Sequence, residues 1–282
     1  MLPVLQIREE EKFETLLKYS SMAGYKEVAI SFGSSDLLMK DDYLSSLKKL
    51  NELLDKYKLK CIQSHLPFYH LLVSSEEVTD EMERAIIRGI EATKILGAKW
   101  TAFHPRSAVN FGYDRKKAFN DNKEKLSVYL ETAIKLGVGI AVENMPLYPY
   151  TNPEWDFFGG KYEELIELCD SLKCENIGIC WDFGHAHTAS IDQKKALLDI
   201  GDRLKITHIH DNFRNGDHHL LPLESDPFWG SIKWAELMPY MKKINYEGPM
   251  TLEIIYPSVD NLEWFVRHSF ECVTKLIKLT EN

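Results

Sequence analysis

The sequence lacks any uninterrupted apolar run near the roughly 18 residues that a membrane-spanning helix requires, so no membrane segment is expected. Cysteine is scarce, with five residues, an odd number, and without the paired spacing of zinc fingers. This pattern argues against a disulfide framework and indicates reduced thiols in a cytoplasmic protein. The N-terminal stretch is apolar over too few residues, and too acidic afterwards, to be expected as a signal peptide.

Nucleotide-binding glycine motifs are absent as well. Neither G-x-G-x-x-G nor a P-loop occurs, and no glycine-rich turn follows the first predicted strand, which disfavours a doubly wound nucleotide-binding sheet. Basic residues are outnumbered, with 34 Lys and Arg against 43 Asp and Glu and a net charge of −9. A protein whose affinity comes from phosphate backbones needs a basic surface. The charge balance therefore argues against a nucleic-acid partner.

The sequence does contain a recurring unit, a β-branched run followed by an amphipathic stretch. Two of these stretches end in Leu-Gly immediately before the next strand, which is typical of a helix stop. The predicted strands are Leu2–Ile7, Glu27–Phe32, Lys60–His65, Trp100–His104, Gly139–Glu143, Ile177–Asp182, Ile206–His210 and Met250–Ile254. Eight strands alternating with eight helices predict an α/β fold, a (β/α)8 TIM barrel in which residues 1–282 form a single domain.

Imidazoles and carboxylates concentrate where the predicted strands end. In a TIM barrel these carboxyl ends form the mouth, where catalytic residues lie. The side chains are His65, His104, Glu143, Asp182, His185, His208, His210, Asp217, His219 and Glu253. Without a cation, such a gathering would leave like charges and unpaired acceptors facing each other. We therefore expect a divalent metal, and the mixture of carboxylate and imidazole favours manganese, zinc, cobalt or iron over calcium or magnesium.

Four short segments carry a resemblance to a known family. They are VENMP, WDFGHAH, HIHDN followed by DHHLLP, and TLEI. Together they resemble the xylose isomerase-like barrel superfamily, over about residues 25–256. This superfamily contains sugar isomerases and epimerases and also endonuclease IV. The resemblance implies a metal-dependent isomerase or epimerase whose substrate is a sugar, a sugar phosphate or a polyol.

The ketose 3-epimerases of this superfamily hold one metal with Glu, Asp, His and Glu from strands five to eight. Matching the segments implies the ligands Glu143, Asp182, His208 and Glu253. His208 is preferred to His210 because the family pattern has an acid three residues after the histidine. The resemblance also makes Glu143 and Glu253 the catalytic pair. One removes the proton beside the carbonyl, the other returns it, and the metal stabilises the enediolate. The intact pair argues against a barrel that only binds a polyol or a protein partner.

Further residues are assigned to substrate binding: His185, His210, Arg214, Arg106, Tyr148 and Trp155. The resemblance implies this role for His185 and Arg214. Arg106 could hold a phosphate or carboxylate, since its guanidinium fork suits either, or it could pair with Glu143 or another strand-end acid. Tyr148 and Trp155, in the aromatic loop after strand five, are expected either to stack on a sugar or to cover the barrel or a neighbouring subunit. A homo-oligomer is therefore one of the expected alternatives.

Endonuclease IV is the alternative relative. It holds three zinc ions with nine ligands, and the resemblance gives all nine a counterpart: His65, His104, Glu143, Asp182, His185, His208, Asp217, His219 and Glu253. One ion is expected for a sugar enzyme, and two or three if the additional histidines and Asp217 also bind metal. Three features favour the sugar enzyme over a phosphodiesterase of abasic DNA. The first is the excess of acidic over basic side chains. The second is Arg106, which stands where the endonuclease motif has a small residue, and the third is the segment HLLP that follows Asp217.

Overall fold

The parallel strands of the computed structural model close into a barrel. The structure describes residues 1–8, 12–33, 36–68, 79–106, 114–152, 156–224, 230–256 and 259–281. Within those residues the strands are β1 (Leu2–Ile7), β2 (Glu27–Ser31), β3 (Lys60–His65), β4 (Trp100–Phe103), β5 (Gly139–Glu143), β6 (Ile177–Asp182), β7 (Leu204–Ile209) and β8 (Pro249–Leu252). Each strand pairs with the next along the chain, and β8 closes the barrel against β1. The predicted (β/α)8 barrel is thus confirmed.

Helices alternate with these strands. They are α1 (Phe13–Ala23), α2 (Asp36–Met39), α3 (Tyr43–Lys56), α4 (Asp80–Ile95), α5 (Arg115–Leu136), α6 (Tyr162–Leu172), α7 (Phe183–Thr188), α8 (Gln193–Ile200), α9 (Trp234–Leu237), α10 (Pro239–Lys243) and α11 (Leu262–Lys278). Gly97 and Gly137 follow α4 and α5 with φ of 84° and 69°. This left-handed backbone suits glycine, so the two Leu-Gly pairs end their helices as predicted. None of the described helices combines the length and apolar character that crossing a membrane requires.

Several strands end one or two residues earlier than predicted. The ladder between β7 and β8 stops at Ile209 opposite Leu252, where both backbones leave the sheet for the loops of the mouth. Strand β4 also ends one residue before the predicted position. Consequently His104, His210 and Glu253 lie one residue beyond their strands, at the start of the mouth loops.

The strand side chains alternate between two apolar layers. Large side chains such as Trp181 point outward and pack in the core between the barrel and the helices. A separate inward cluster consists of Ala102, Ala141, Cys180 and Ile206. Because successive side chains point to opposite faces of a strand, a residue two positions beyond an inward residue also points inward. On β4 to β7 the layer directly below the mouth is therefore apolar and mostly small. On β3 and β8, buried Gln63 and Thr251 hydrogen-bond to each other at 2.7 Å.

Candidate metal centre

The alternation along the strands directs the predicted ligands into the mouth. His104, Glu143, Asp182 and His208 each follow a member of the inward cluster by two residues. Four neighbouring strands therefore aim these side chains at one region. The structure brings the predicted ligands together there in three adjacent groups.

The first group comprises Glu143, Asp182, His208 and Glu253, whose donor atoms all lie within 4.8 Å of one another. Nδ1 of His208 lies 3.1 Å from Oε1 of Glu143 and 3.1 Å from Oε2 of Glu253. Oδ2 of Asp182 is 3.9 Å from the same nitrogen. All four side chains are buried. These are the residues that the resemblance implies as ligands of one ion.

Three atoms at the centre of the first group make no hydrogen bond with good geometry to any residue that the structure describes. Oε1 of Glu143, Oδ2 of Asp182 and Nδ1 of His208 are buried and find no hydrogen-bond partner among the described residues. Leaving a buried polar atom unpaired costs about 1–3 kcal/mol, and more for a charged group. A divalent ion would accept a lone pair from each atom, and carboxylates with one imidazole suit manganese, zinc, cobalt or iron. The residues present therefore fit a metal.

The second group comprises His65, His104 and Glu143. Nε2 of His65 lies 3.2 Å from Nε2 of His104 and 3.1 Å from Oε2 of Glu143. The other nitrogen of the His65 ring, Nδ1, donates to the carbonyl of Leu66 at 2.7 Å. In the neutral ring this leaves a lone pair on Nε2 that faces the carboxylate, so a proton or a cation must separate them. Such a ring orientation is typical of metal-binding histidines.

The third group comprises His185, His210, Asp217 and His219. Nε2 of His185 and Nε2 of His219 lie 3.3 and 3.1 Å from Oδ2 of Asp217. The Nδ1 atoms of both rings donate to backbone carbonyls, that of His185 to Asn144 at 2.8 Å and that of His219 to Glu253 at 2.7 Å. The third group thus repeats the ring orientation of the second.

The charges of the mouth are strongly coupled. Burial opposes ionisation of Glu143, but the imidazoles of His208 and His104 hold the pKa of this carboxyl well below its usual range. Burial likewise opposes ionisation of Glu253, but His208 lowers its pKa to about 2. Burial also opposes protonation of His208, yet Cys180 and Glu143 raise the pKa of this ring well above its usual value. A proton on His208 therefore balances these carboxylates, whereas burial lowers the pKa of His104. A divalent ion could replace the proton on His208.

Asn144 holds Asp182 in place, a role that the sequence analysis missed. Nδ2 of Asn144 donates to the carbonyl of Asp182 at 2.9 Å, and Oδ1 of Asn144 accepts the N–H of Asp182 at 2.7 Å. Similarly, Nε2 of Gln6 donates to Oε1 of Glu253 at 2.7 Å. A polar residue beside a predicted ligand, as Asn144 is beside Glu143, could have signalled the first of these roles.

Gly184 makes room for His210. A Cβ at position 184 would lie 1.9 Å from Cε1 of His210, whose side chain is fully buried. Nε2 of His210 lies 3.1 Å from Oδ1 of Asp182, and its ring stacks on His219 with centroids 4.2 Å apart. The two histidines of HIH are thus separated, with His208 in the first group and His210 in the third. The preference for His208 over His210 as a metal ligand stays a prediction.

The remaining predicted substrate residues lie in different surroundings. Tyr148 is half-buried, and burial together with the nearby charge of Asp217 raises its pKa, so its hydroxyl lies close to the mouth. Arg214 is exposed and lines a cavity of about 650 Å³ with His187. Among the described residues that line this cavity, none belongs to the three groups of predicted metal ligands. Trp155 lies outside the described residues.

Arg106 points into the helix layer. One guanidinium nitrogen, Nη2, donates to Oε1 of Glu83 at 2.6 Å and to the hydroxyl of Tyr129 at 2.9 Å. Its Nε and Nη1 are buried and have no hydrogen-bond partner in the described part of the chain. Among the described residues, the acid that pairs with Arg106 is therefore Glu83 on α4, and neither Glu143 nor another strand-end acid. A role of Arg106 in substrate binding stays a prediction.

The chain is similar to proteins of one barrel family. A family profile described as "Xylose isomerase-like TIM barrel" matches residues 17–275. An uncharacterised protein of Methanocaldococcus jannaschii is 30% identical over 218 residues, which cover 75% of this chain and 70% of that protein. A solved structure of a D-tagatose 3-epimerase-like protein has a TM-score of 0.76 at 22% identity and covers 100% of this chain and 98% of its own. A D-psicose 3-epimerase solved in the presence of D-fructose has a TM-score of 0.77 at 12% identity, with coverages of 98% and 99%. At such identities the two solved structures show a shared fold.

Proposed function

Because the chain belongs to the xylose isomerase-like TIM barrel family, we propose that it is a divalent-metal-dependent isomerase or epimerase of a small sugar, sugar phosphate or polyol. The observation that carries the proposal is the first group, where buried atoms of Glu143, Asp182 and His208 lack hydrogen-bond partners within the described residues. One ion held by these residues and Glu253 would satisfy them. The similarity in fold to sugar epimerases supports a sugar as the substrate class.

Glu143 and Glu253 are the proposed proton-transferring pair. Each carboxylate lies 3.1 Å from Nδ1 of His208, and the lowered pKa of each leaves it ionised and able to take a proton. When bound, the ion would polarise the sugar carbonyl and stabilise the negative charge that develops there. One glutamate removes the proton from the carbon beside that carbonyl, and the other glutamate returns it.

Histidines of the second and third groups are the proposed contacts for substrate hydroxyls. The rings of His65, His185 and His219 donate through Nδ1 to backbone carbonyls, which leaves Nε2 facing the mouth. Nε2 can hydrogen-bond a hydroxyl group either way: it donates where the ring is protonated, as the raised pKa of His185 and of His219 beside Asp217 indicates, and it accepts where the ring is neutral. Tyr148, held near Asp217, would form one wall of the same site. In this proposal the second and third groups bind the polyol and hold no further ions.

Solvent isotope exchange tests the proposal. The metal-reconstituted protein is incubated in deuterium oxide with D-tagatose, D-fructose and D-psicose, and deuterium at the carbon beside the carbonyl is followed by NMR. Glu143→Gln and Glu253→Gln keep the side-chain size but remove the base, so each should slow exchange at least about 100-fold. Glu164→Gln is the matched control, because Glu164 is equally buried but lies on α6 and pairs with Arg115. Exchange that survives both mouth substitutions would show that the proton-transfer assignment is wrong.

One observation favours a second candidate function. The nine residues that match the endonuclease IV ligands fall into three groups, the first two of which share Glu143. A trinuclear zinc phosphodiesterase acting on abasic DNA would use all three groups. His65→Gln and His219→Gln separate the candidates, because each would lower bound zinc by about one equivalent only in the trinuclear enzyme. If the wild type nicks abasic duplex DNA and both substitutions abolish the nicking, the protein is the phosphodiesterase. If the wild type does not nick this DNA and neither substitution changes the zinc content, the sugar enzyme is supported.

A further inference from the structure

Glu224, His268 and Cys272 form a separate group of metal-type donors, which we call the α11 group. Glu224 lies in the loop after β7, whereas His268 and Cys272 lie on α11. Nε2 of His268 is 3.0 Å from Oε1 of Glu224. Sγ of Cys272 is 3.6 Å from that oxygen and 3.9 Å from that nitrogen. The proposed sugar chemistry uses none of these three residues.

The spacing of the α11 group matches a tetrahedral zinc site. Zinc binds thiolate sulfur at about 2.3 Å and imidazole nitrogen or carboxylate oxygen at about 2.0–2.2 Å. Tetrahedral angles then separate the donor atoms by about 3.3–3.6 Å. The observed separations of 3.0, 3.6 and 3.9 Å span that range. Small side-chain rotations would therefore bring all three donors to bonding distance of one ion.

The helix and its neighbours orient the donors. His268 and Cys272 are four residues apart on α11 and so project from the same face. The ring of His268 stacks on Trp264 with centroids 5.0 Å apart, and Oε2 of Glu271 lies 3.9 Å from its Nδ1. These contacts leave Nε2 facing Glu224 and Cys272. Cys272 is 2% exposed, but the Glu224 side chain is 48% exposed, so the group is open to solvent on one side.

The thiol of Cys272 is free of any disulfide, as a metal ligand must be. All five cysteines lie in the described residues and none is in a disulfide, in agreement with the predicted reduced thiols. The thiolate is the form that binds a metal ion, and a coordinated cation displaces the thiol proton.

We propose that the α11 group binds a thiophilic divalent ion of the zinc class, with water completing the tetrahedron. The metal–sulfur bond forms as the S–H bond of Cys272 breaks, the proton passes to solvent, and no electron is transferred. The ion would join α11 to the loop after β7, which carries Asp217 and His219 of the third group. Because its donors lie outside the mouth, this site is independent of the proposed function.

Titration with Co²⁺ and with Cd²⁺ tests the site, because both ions give charge-transfer absorption when bound to thiolate. Mouth groups supply nitrogen and oxygen donors, apart from Cys180 beside His208. We expect a saturable band at about one equivalent per chain in the full-length protein. The band should disappear in Cys272→Ser and in His268→Gln. It should persist in Cys180→Ser and in the matched control Cys174→Ser, which removes a half-buried thiol.

Glu224→Gln supplies a graded readout, since it keeps sulfur and nitrogen but weakens the oxygen donor, and it should lower the affinity at least about tenfold. Circular dichroism of His268→Gln, a partly exposed position, shows whether loss of the band occurs in a folded protein. A wild-type protein without the band would overturn the proposal. So would a band that survives Cys272→Ser, or one that Cys180→Ser removes.

Discussion

Replacing Asn144 with Ala tests how far the metal centre depends on a residue that is not itself a ligand. The amide of Asn144 joins the N–H and the carbonyl of Asp182 at 2.7 and 2.9 Å. Both residues are fully buried, so alanine leaves two backbone groups of Asp182 unpaired. At about 1–3 kcal/mol for each group, the expected loss is roughly 2–6 kcal/mol of unfolding free energy.

The same substitution releases Asp182 from its position in the first group. Residues that orient a metal ligand typically contribute 10- to 100-fold to metal affinity. We therefore expect Asn144→Ala to bind Mn²⁺ or Zn²⁺ about 10–100-fold more weakly at the mouth. Calorimetric titration measures the affinity under conditions where the variant is folded, and urea titration of the metal-free protein measures the unfolding free energy.

Asn122 offers a matched control for this substitution. It is also fully buried and holds a backbone segment, because its Oδ1 accepts the N–H of Arg106 at 2.6 Å and its Nδ2 donates to the carbonyl of Arg106 at 2.7 Å. Asn122→Ala should therefore lose similar stability while keeping the affinity of the first group for metal. Equal losses of affinity in both variants would trace the effect to general destabilisation and refute the role of Asn144.

Two further predictions concern the same region. Gly184→Ala should lower the unfolding free energy by about 1–3 kcal/mol, because its Cβ would meet the buried ring of His210 at 1.9 Å. The control is Gly216→Ala, because the added Cβ would meet only the ring of half-buried His218, at 3.1 Å. Equal urea midpoints for the two variants would contradict the packing argument. The metal-free protein should lose stability as the pH rises from 6.5 through 9, because burial opposes the charge of His219 but Asp217 raises its pKa from 6.5 to about 9. When the pKa of a histidine is higher in the folded than in the unfolded protein, its proton stabilises the fold. That stabilisation is complete below the pKa of the unfolded state and is lost above the pKa of the folded state. Urea titrations across this pH range should show the decline in the wild type, and a decline equally steep in His219→Gln would count against it.

The barrel and the gathering of ligands were predictable because they depend on local periodicity. Alternation along each strand brings Glu143, Asp182 and His208 to the same face, whatever the details of packing. The partner of Arg106 was not predictable in this way. Glu83 lies 23 residues earlier in the chain and meets Arg106 only because the start of α4 packs beside the end of β4. The space that Gly184 leaves for His210 likewise depends on how β6 and β7 approach each other, which no local pattern records.

The ring orientation of the mouth histidines links the two candidate functions. His65, His185 and His219 each donate through Nδ1 to a backbone carbonyl, which fixes the proton of the neutral ring on the outer nitrogen. In the neutral ring the inner nitrogen offers a lone pair to an ion, and in the protonated ring, which the raised pKa of His185 and His219 favours without metal, it donates a hydrogen bond instead. For this chain the same ring orientation is therefore compatible with both proposals, one ion with a bound polyol or several ions with a phosphodiester. For this chain the net charge of −9 favours the polyol, since an acidic protein offers less attraction to a polyanion.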